Sequence, residues 1–284
     1  MRLSIISMRQ AAPLLRTLLP ALLLAASLSA QEKAGEKKEG PIQDNSFLVE
    51  EAYNQEERVV QHISTFTQVQ ETKDWVYTFT QEWPVGGLTH QLSYTLPWQR
   101  LSSSPDGRQA IGDMALNYRY QLVGDGDAKV AIAPRLSVIL PTGDQKKVYG
   151  RGATGVQVMF PMSLVLTESL VGHTNVGGTL TPHAQNQAGE KADTRDLALG
   201  QSFIWLAHPR FNLMLEYIYT SIQAVTGPGQ TERQSLTYLS PGIRWAYNFK
   251  SGLQIVPGIA APIGVGASRG DNAIFLYLSF EHPF

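Results

Sequence analysis

Ionisable residues at alternating positions are the features of this sequence that could carry chemistry. Successive side chains of a β-strand point to opposite faces. If the segments that contain them are strands of a barrel, this alternation places six ionisable residues on the inward face. These six are Asp113, Arg119, Lys129, Arg135, Glu216 and Arg244. Arginines opposed by carboxylates in a pore could set its selectivity. An internal salt-bridge network that fills and rigidifies a narrow barrel would use the same residues. Both interpretations predict that these side chains face a lumen.

His173 is the residue that invites an enzymatic interpretation. With Thr174 and Asn175 it invites comparison with outer-membrane lipid hydrolases, which use a His and a nearby Ser. However, no Ser stands two residues after His173, and Thr174 points to the opposite face of a strand. The chain has neither a Gly-x-Ser-x-Gly nor a His-Glu-x-x-His motif. We therefore predict a polar lumen residue and no enzyme, with an outer-membrane lipid-modifying enzyme as the alternative.

Metal and cofactor chemistry has little support in the composition. The chain has no cysteine, which excludes disulfides, thiolate metal sites and a lipidated N-terminal cysteine. Its 6 histidines are scattered, and Asp125 and Asp127 lie in a Gly-Asp sequence typical of a tight turn. A net charge of -1 with 17% charged residues does not favour a nucleic-acid surface. We expect no cofactor, no metal and no nucleic-acid partner.

The N-terminus has the pattern of a secretory signal peptide over residues 1–30. A basic stretch with three arginines precedes an apolar run at 18–28, and small residues follow. The apolar run is about half of the ~20 residues that a spanning helix needs, and Pro20 interrupts it. Met8 could equally be the start residue. Residues 31–56 are predicted to be a disordered periplasmic leader because their first part is almost without apolar side chains.

From residue 57 onwards apolar and polar residues alternate with a period of two, which predicts strands. In one example Trp75, Tyr77 and Phe79 alternate with threonines and valine. Most segments run about 9 to 13 residues, the length that a tilted strand needs to cross a bilayer. The pattern predicts twelve strands near 57–69, 74–83, 88–97, 111–122, 128–140, 153–161, 163–178, 197–207, 210–220, 236–248, 252–263 and 273–284.

Short and long connections alternate between these segments. Short turns are predicted at 84–87, 124–127, near 161, 207–210 and 249–252, and long loops at 98–110, 141–152, 179–196, 221–235 and 264–272. Outer-membrane barrels have this asymmetry between their periplasmic and outer ends. Lipid offers no hydrogen-bond partner, so a spanning sheet must close on itself. We predict an all-β fold, a closed antiparallel transmembrane β-barrel of about 12 strands over residues 57–284, in the bacterial outer membrane. Its lumen would admit a small solute at most.

The last strand resembles the assembly signal of bacterial outer-membrane proteins. Apolar residues at alternate positions lead to a terminal Phe, namely Leu276, Leu278, Phe280 and Phe284, with His282 departing from the pattern. We expect this strand to pair with the first strand near 59–69. The expected partners are the barrel-assembly machinery, outer-membrane lipid and lipopolysaccharide, and a small-molecule solute.

Five short motifs resemble a known family. They are SFLVEEAYNQ (46–55), IGDMALNYRY (111–120), LPTGD (140–144), MLEYIY (214–219) and LSPGIRWA (239–246). Together they are similar to the outer-membrane β-barrel family named for the meta pathway (MetA pathway) of phenol degradation. That resemblance implies a 12-stranded barrel and uptake of aromatic or other hydrophobic compounds, without catalytic residues. We therefore expect a passive transporter or narrow channel for small molecules. Besides the enzyme, the alternative is a structural or surface-interaction barrel with functional outer loops.

Overall fold

The computed structural model describes residues 45–125 and 127–283. The predicted signal peptide, the leader up to residue 44 and the terminal Phe284 lie outside the described residues. Sixteen strand segments and two short 3-10 helices, Gln145–Lys147 and Gly266–Ser268, make up the regular structure of the described part. The strands are β1 Val59–Val69, β2 Trp75–Val85, β3 His90–Arg100, β4 Gln109–Ile111, β5 Met114–Tyr120, β6 Val130–Ile132, β7 Arg135–Leu140, β8 Gly155–Thr167, β9 Leu170–Gln185, β10 Lys191–His208, β11 Phe211–Gly227, β12 Gln230–Trp245, β13 Tyr247–Asn248, β14 Gln254–Ala260, β15 Ile263–Gly264 and β16 Ala273–Pro283.

These segments form one closed antiparallel barrel of twelve wall strands. Four wall strands are each interrupted once, so β4 continues into β5, β6 into β7, β12 into β13 and β14 into β15. The sheet closes where β16 pairs with β1, in a register running from Val59 opposite Pro283 to Val69 opposite Ala273. The predicted fold class and the predicted pairing of the last strand with the first are thereby confirmed.

The wall carries apolar side chains on its outer face and polar side chains on its inner face, the reverse of a soluble protein. On β5, Leu116 and Tyr118 are 46% and 38% exposed, whereas Asn117 and Arg119 between and beyond them are buried. The same outward apolar pattern recurs around the barrel at Leu92, Leu136, Val138, Phe160, Phe203, Leu215, Ile259 and Leu276. An apolar exterior on a closed sheet without free edges is the arrangement that a lipid bilayer requires. No helix among the described residues is long and apolar enough to cross a membrane.

The turn predicted near residue 161 is wrong. Pro161 does not lie at a turn but inside β8, and the turn comes at residues 168–169, where Glu168 is exposed. The proline is tolerated because its nitrogen faces the break between β6 and β7, where no strand residue needs a hydrogen bond from a backbone N–H.

The regions 179–196 and 221–235, predicted to be long loops, belong mostly to strands. Strands β9 to β12 run 16 to 18 residues each, joined by turns at 186–190 and 228–229. Both faces of a strand meet water beyond the bilayer, so polar residues there do not end the strand. We call the end of the barrel that carries these hairpins the long-loop end and the opposite end, with both termini of the sheet, the short-turn end.

Candidate functional site

The lumen of the barrel is occupied by the chain's own residues 45–55, which we call the lumen segment. Asn45, Val49, Ala52 and Gln55 are all less than one-tenth exposed. These residues were predicted to lie in a disordered periplasmic leader, 31–56, whereas the structure places residues 45–55 inside the barrel. The physical reason is that a polar barrel interior offers hydrogen-bond partners to a backbone that has no strand neighbours of its own.

A single carboxylate holds the middle of the lumen segment. Glu216 on β11 is fully buried, and its Oε1 accepts hydrogen bonds from the backbone N–H groups of Phe47, Leu48 and Val49 at 3.1, 2.8 and 3.0 Å. Three successive amides pointing at one anion form a nest, and bonds to a charged acceptor are stronger than neutral ones. Glu216 was predicted to face inward, and its ligand is the chain itself.

Arg135 on β7 holds the acidic part of the lumen segment. Its guanidinium pairs in a fork with Glu50, with Nη2 to Oε1 at 2.6 Å and Nε to Oε2 at 2.9 Å. The remaining donors reach three wall residues, Asn117, Ser137 and Gln157. Because these partners fix the guanidinium in one place, it presents a rigid fork to Glu50.

Arg119 on β5 holds the following residues through carbonyl and amide oxygens. It donates to Asn54 Oδ1 at 3.1 Å, to the Glu51 carbonyl at 3.1 Å and to the Tyr53 carbonyl at 2.7 Å. Its Nη2 also lies 3.7 Å from the Glu82 carboxylate of β2. Arg119 therefore neutralises a wall carboxylate and caps the backbone of the segment at once.

The three other predicted lumen residues have different positions. Arg244 is 2% exposed on β12, opposite Asn212 on β11. Asp113, between β4 and β5, accepts hydrogen bonds from the backbone of Gly143 and Arg151 and so fixes the connection between β7 and β8. Lys129 is exposed in the connection before β6 at the short-turn end, and it is not brought together with the others.

Apolar contacts anchor the first part of the lumen segment. The Phe47 ring lies 5.3 Å from the ring of Phe275 and 5.1 Å from that of Tyr277, between ring centroids. Two wall glycines make room for it, since a Cβ atom would lie 2.3 Å from Phe47 Cζ at Gly258 and 2.9 Å from Cε2 at Gly242. Any side chain at these two glycines would collide with the ring.

Polar wall residues that the sequence analysis did not single out complete the contacts. The Ser46 hydroxyl lies 2.7 Å from that of Ser202, and the Ala52 amide donates to Ser163 at 2.8 Å. Further acceptors for the segment's amides are Asn175, Gln121 and Gln91. In the sequence these residues are recognisable only as small hydroxyl and amide side chains at inward-facing positions. That pattern indicates a hydrated or hydrogen-bonded lumen but does not identify what occupies it.

His173 does form a close pair with a serine. Its Nδ1 lies 2.7 Å from Ser163 Oγ, directly across the β8–β9 ladder, and both residues are fully buried. No serine stands two residues after His173 in the sequence, and the serine that pairs with it precedes it by ten positions. The pair faces the lumen, where Ser163 accepts the Ala52 amide and the ring of Tyr53 stands edge-on to His173 at 6.1 Å. With the segment in place both side chains are fully buried, and the pair serves as an anchor for the segment.

The lumen segment leaves a cavity of about 530 Å³ towards the long-loop end. Its walls come from the inward faces of β1 to β3, β5, β7, β8 and β16, and its floor is the segment itself. Thr67, Asp113 and Ile139 mark its outer limit near the ends of their strands. The segment therefore fills part of the lumen and leaves a cavity between itself and the long-loop end.

Comparison with known proteins gives a family and a fold. A family model described as "Putative MetA-pathway of phenol degradation" matches residues 42–264. None of the curated proteins matches the chain. The structure is similar to the COG4313 outer membrane channel from Pseudomonas putida F1, with 13% identity, a TM-score of 0.59 and coverage of 82% of this chain and 98% of that one. It is also similar to the NanC porin, with 8% identity, a TM-score of 0.51 and coverage of 79% and 100%.

Proposed function

The chain belongs to the family of the MetA pathway of phenol degradation, and we propose that it is a passive outer-membrane channel whose lumen its own residues 45–55 close. The observation that carries this proposal is the mode of attachment of the lumen segment. Most of its holding contacts are hydrogen bonds to inward side chains, and none belongs to the ladder that closes the barrel. The segment can therefore leave the lumen while the wall stays intact.

The geometry also supports a direction of movement. The lumen segment continues directly into β1, which begins at Val59 at the short-turn end. Its last residues contact that end, where Asn54 Nδ2 donates to the Leu88 carbonyl at 2.8 Å. We infer that residues 56–58 act as the hinge and that the segment leaves towards the periplasm.

A disulfide lock tests the proposal, because the native chain has no cysteine that could interfere. Ser46 and Ser202, whose hydroxyl oxygens lie 2.7 Å apart, are both replaced by cysteine. In planar bilayers the wild type should show intermittent conductance. The oxidised Ser46→Cys/Ser202→Cys variant should be silent, and reduction should restore its conductance. The single Ser202→Cys variant and the wild type are the controls, and neither should respond to reductant.

Two results would contradict the proposal in different ways. Equal conductance of the oxidised and reduced double variant would remove the lumen segment as the gate. If the double variant conducts in neither redox state and the wild type also never conducts, the protein is not a channel.

The family description and the side chains that line the lumen both favour an aromatic solute. The family is described by phenol degradation, and three aromatic side chains, Phe47, Phe275 and Tyr277, line the cavity. We propose small aromatic or other hydrophobic molecules as the solutes. Liposomes that contain the reduced Ser46→Cys/Ser202→Cys variant should take up labelled phenol faster than liposomes with the oxidised form. Identical rates in both preparations would argue against this solute class.

A further inference from the structure

The outer face of the barrel carries two neighbouring arginines where its apolar surface ends. Arg195 on β10 and Arg233 on β12 are both exposed, and β11 runs between them. Next to them on the side of the short-turn end, the same face is apolar, with Leu197 and Leu199 on β10 being 41% and 36% exposed. The long-loop end of an outer-membrane barrel faces outwards. The arginines therefore lie at the depth of the head groups of the outer leaflet.

The alternation along each strand directs both side chains away from the lumen. The chain neighbours of Arg195, Thr194 and Asp196, are bound on the opposite face by Arg151, at 2.6 and 2.7 Å. On β12, Arg233 has the same parity as Leu239, which is 39% exposed, and the register with β11 is unbroken between them. Both arginines therefore face the lipid side of the wall.

Arg233 is held in place by the wall. Its Nη1 donates to Ser221 Oγ on β11 at 2.8 Å, and its Nη2 donates to the Arg195 carbonyl on β10 at 3.0 Å. The guanidinium thus lies across β11 and covers Ser221, which is only 4% exposed. A guanidinium has five N–H donors, so these two contacts leave three for a ligand. Because the group is already ordered, binding loses less side-chain entropy.

Gln223 on β11 brings the two arginines into one row. It lies opposite Arg233 in the ladder, and its Oε1 accepts the backbone N–H of Arg195 at 2.7 Å. Two strand spacings place the Cα atoms of the arginines roughly 10 Å apart. Side chains of this length can enclose one phosphate group between their guanidinium groups, and the planar fork of arginine matches phosphate oxygens.

The charge of this row is positive. Among the described residues no carboxylate lies within 4 Å of either guanidinium group. Asp193 lies on the same face of β10, but its Oδ1 accepts the backbone N–H of His183 on β9 at 2.8 Å. Asp196 pairs with Arg151 on the inner face. Two positive charges therefore stand against one carboxylate, and that carboxylate is bound to β9.

From these observations we propose that Arg195 and Arg233 form a binding site for a phosphate group of lipopolysaccharide, the acylated and phosphorylated glycolipid of the outer leaflet. The phosphate lies between the two guanidinium groups, and the acyl chains run along Leu197, Leu199 and Leu239. The hydroxyl groups of Tyr219 and Ser235, 3.2 Å apart, lie at the border between these two parts. The site is on the outer face and does not depend on the proposed channel function.

The test compares lipid A, the phosphorylated and acylated part of lipopolysaccharide, with its dephosphorylated form. Each is titrated into the purified full-length protein in neutral detergent, and bound lipid is counted by native mass spectrometry. We expect lipid A to bind at least about tenfold more tightly than the dephosphorylated form, since one charge-assisted hydrogen bond is enough for that ratio. Arg195→Gln/Arg233→Gln should abolish this preference.

Further variants separate charge from geometry. Arg195→Lys/Arg233→Lys keeps both charges without the planar fork and should retain only part of the preference. Arg195→Gln alone leaves the side-chain contacts of Arg233 in place and should weaken lipid A severalfold. Lys73→Gln/Lys146→Gln removes two other exposed positive charges from the long-loop end and should change nothing. Heat-modifiable migration in gels confirms that each variant is folded.

Equal binding of lipid A and its dephosphorylated form, or an equal loss of lipid A binding in Lys73→Gln/Lys146→Gln, would overturn the inference. Displacement of lipid A by an equimolar amount of phosphatidylglycerol would overturn the assignment to lipopolysaccharide and give the site to a phospholipid head group. Inorganic phosphate at the same concentration should displace nothing, because it lacks the acyl chains. If it does displace lipid A, the apolar surface is no part of the site and the inference fails.

Discussion

Removal of the Glu216 side chain should open the channel without unfolding the barrel. In the structure its Oε1 accepts three N–H groups of the lumen segment at 2.8 to 3.1 Å. A hydrogen bond to a charged group contributes about 1.5–3 kcal/mol, but the three bonds share one oxygen and are not additive. We take about 3–5 kcal/mol for their loss in Glu216→Ala, which shifts the balance between closed and open states by roughly 10²- to 10⁴-fold.

The assay for Glu216→Ala combines conductance with chemical access. Open probability in planar bilayers should rise towards saturation, and a cysteine placed at Val49, which is 2% exposed, should become reactive to maleimide. Glu216→Gln retains a carbonyl acceptor and should be intermediate. Glu232→Ala, an exposed carboxylate of the same sheet, is the matched control and should behave as the wild type. A Glu216→Ala barrel that is folded, silent and unreactive at residue 49 would refute the reasoning.

Three further changes have defined outcomes. Gly258→Val places a side chain where Phe47 now lies, so it should displace the ring and raise both conductance and protease cleavage before residue 57. Gly227→Val is the control, because a Cβ atom there would meet no atom closer than 3.4 Å. The backbone amide of Arg108 and then Lys147 Nζ, at 3.1 Å, hold the pKa of Asp106 at about 2, below its ordinary value. Asp106 lies in the loop between β3 and β4, and Lys147 lies in the connection between β7 and β8. Because the pKa of Asp106 is depressed, the ion pair between these two loops is complete above about pH 4 and is lost as the pH falls through about 2. Spin labels on the two loops should separate over that interval, and in Asp106→Asn their distance should not depend on pH. Deletion of Phe284 should lower the yield of heat-modifiable barrel in the outer membrane, and an unchanged yield would count against the assembly signal.

The barrel could be predicted from the sequence because the bilayer imposes it on every strand separately. Each strand has lipid on one side and polar contacts on the other, so apolar and polar residues alternate with a period of two, as at Leu116, Asn117, Tyr118 and Arg119. This alternation can be recognised in one strand without knowing which strand pairs with it. The errors lie where that constraint ends. Pro161 was misplaced because its tolerance depends on a break between two segments of the neighbouring wall strand, which is a property of the pairing.

The lumen segment could not be predicted in the same way. Its contacts join residues far apart in the chain, 169 positions for Phe47 with Glu216 and 85 for Glu50 with Arg135. Strand alternation predicts that Arg119, Arg135 and Glu216 face inward, and in the structure all three contact the lumen segment. An inward charge, however, is compatible with a pore, a salt-bridge network or a bound peptide. Lys129 shows the limit of parity, because it lies just outside its strand, where alternation no longer fixes direction.

The chemistry of the contacts explains why a channel would use a polar segment as its gate. An apolar plug would be held by burial alone and would expose that surface to water when it left. The contacts of Glu216, Arg135 and Ser163 with the segment are hydrogen bonds, and water can replace each one on both sides. Exchange with water leaves a net contribution of only about 0.5–1.5 kcal/mol for a typical bond, with the charged ones above that range. Several such bonds close the lumen firmly while each breaks at low cost, and Phe47 in its glycine cradle supplies the apolar contact that fixes where the segment returns.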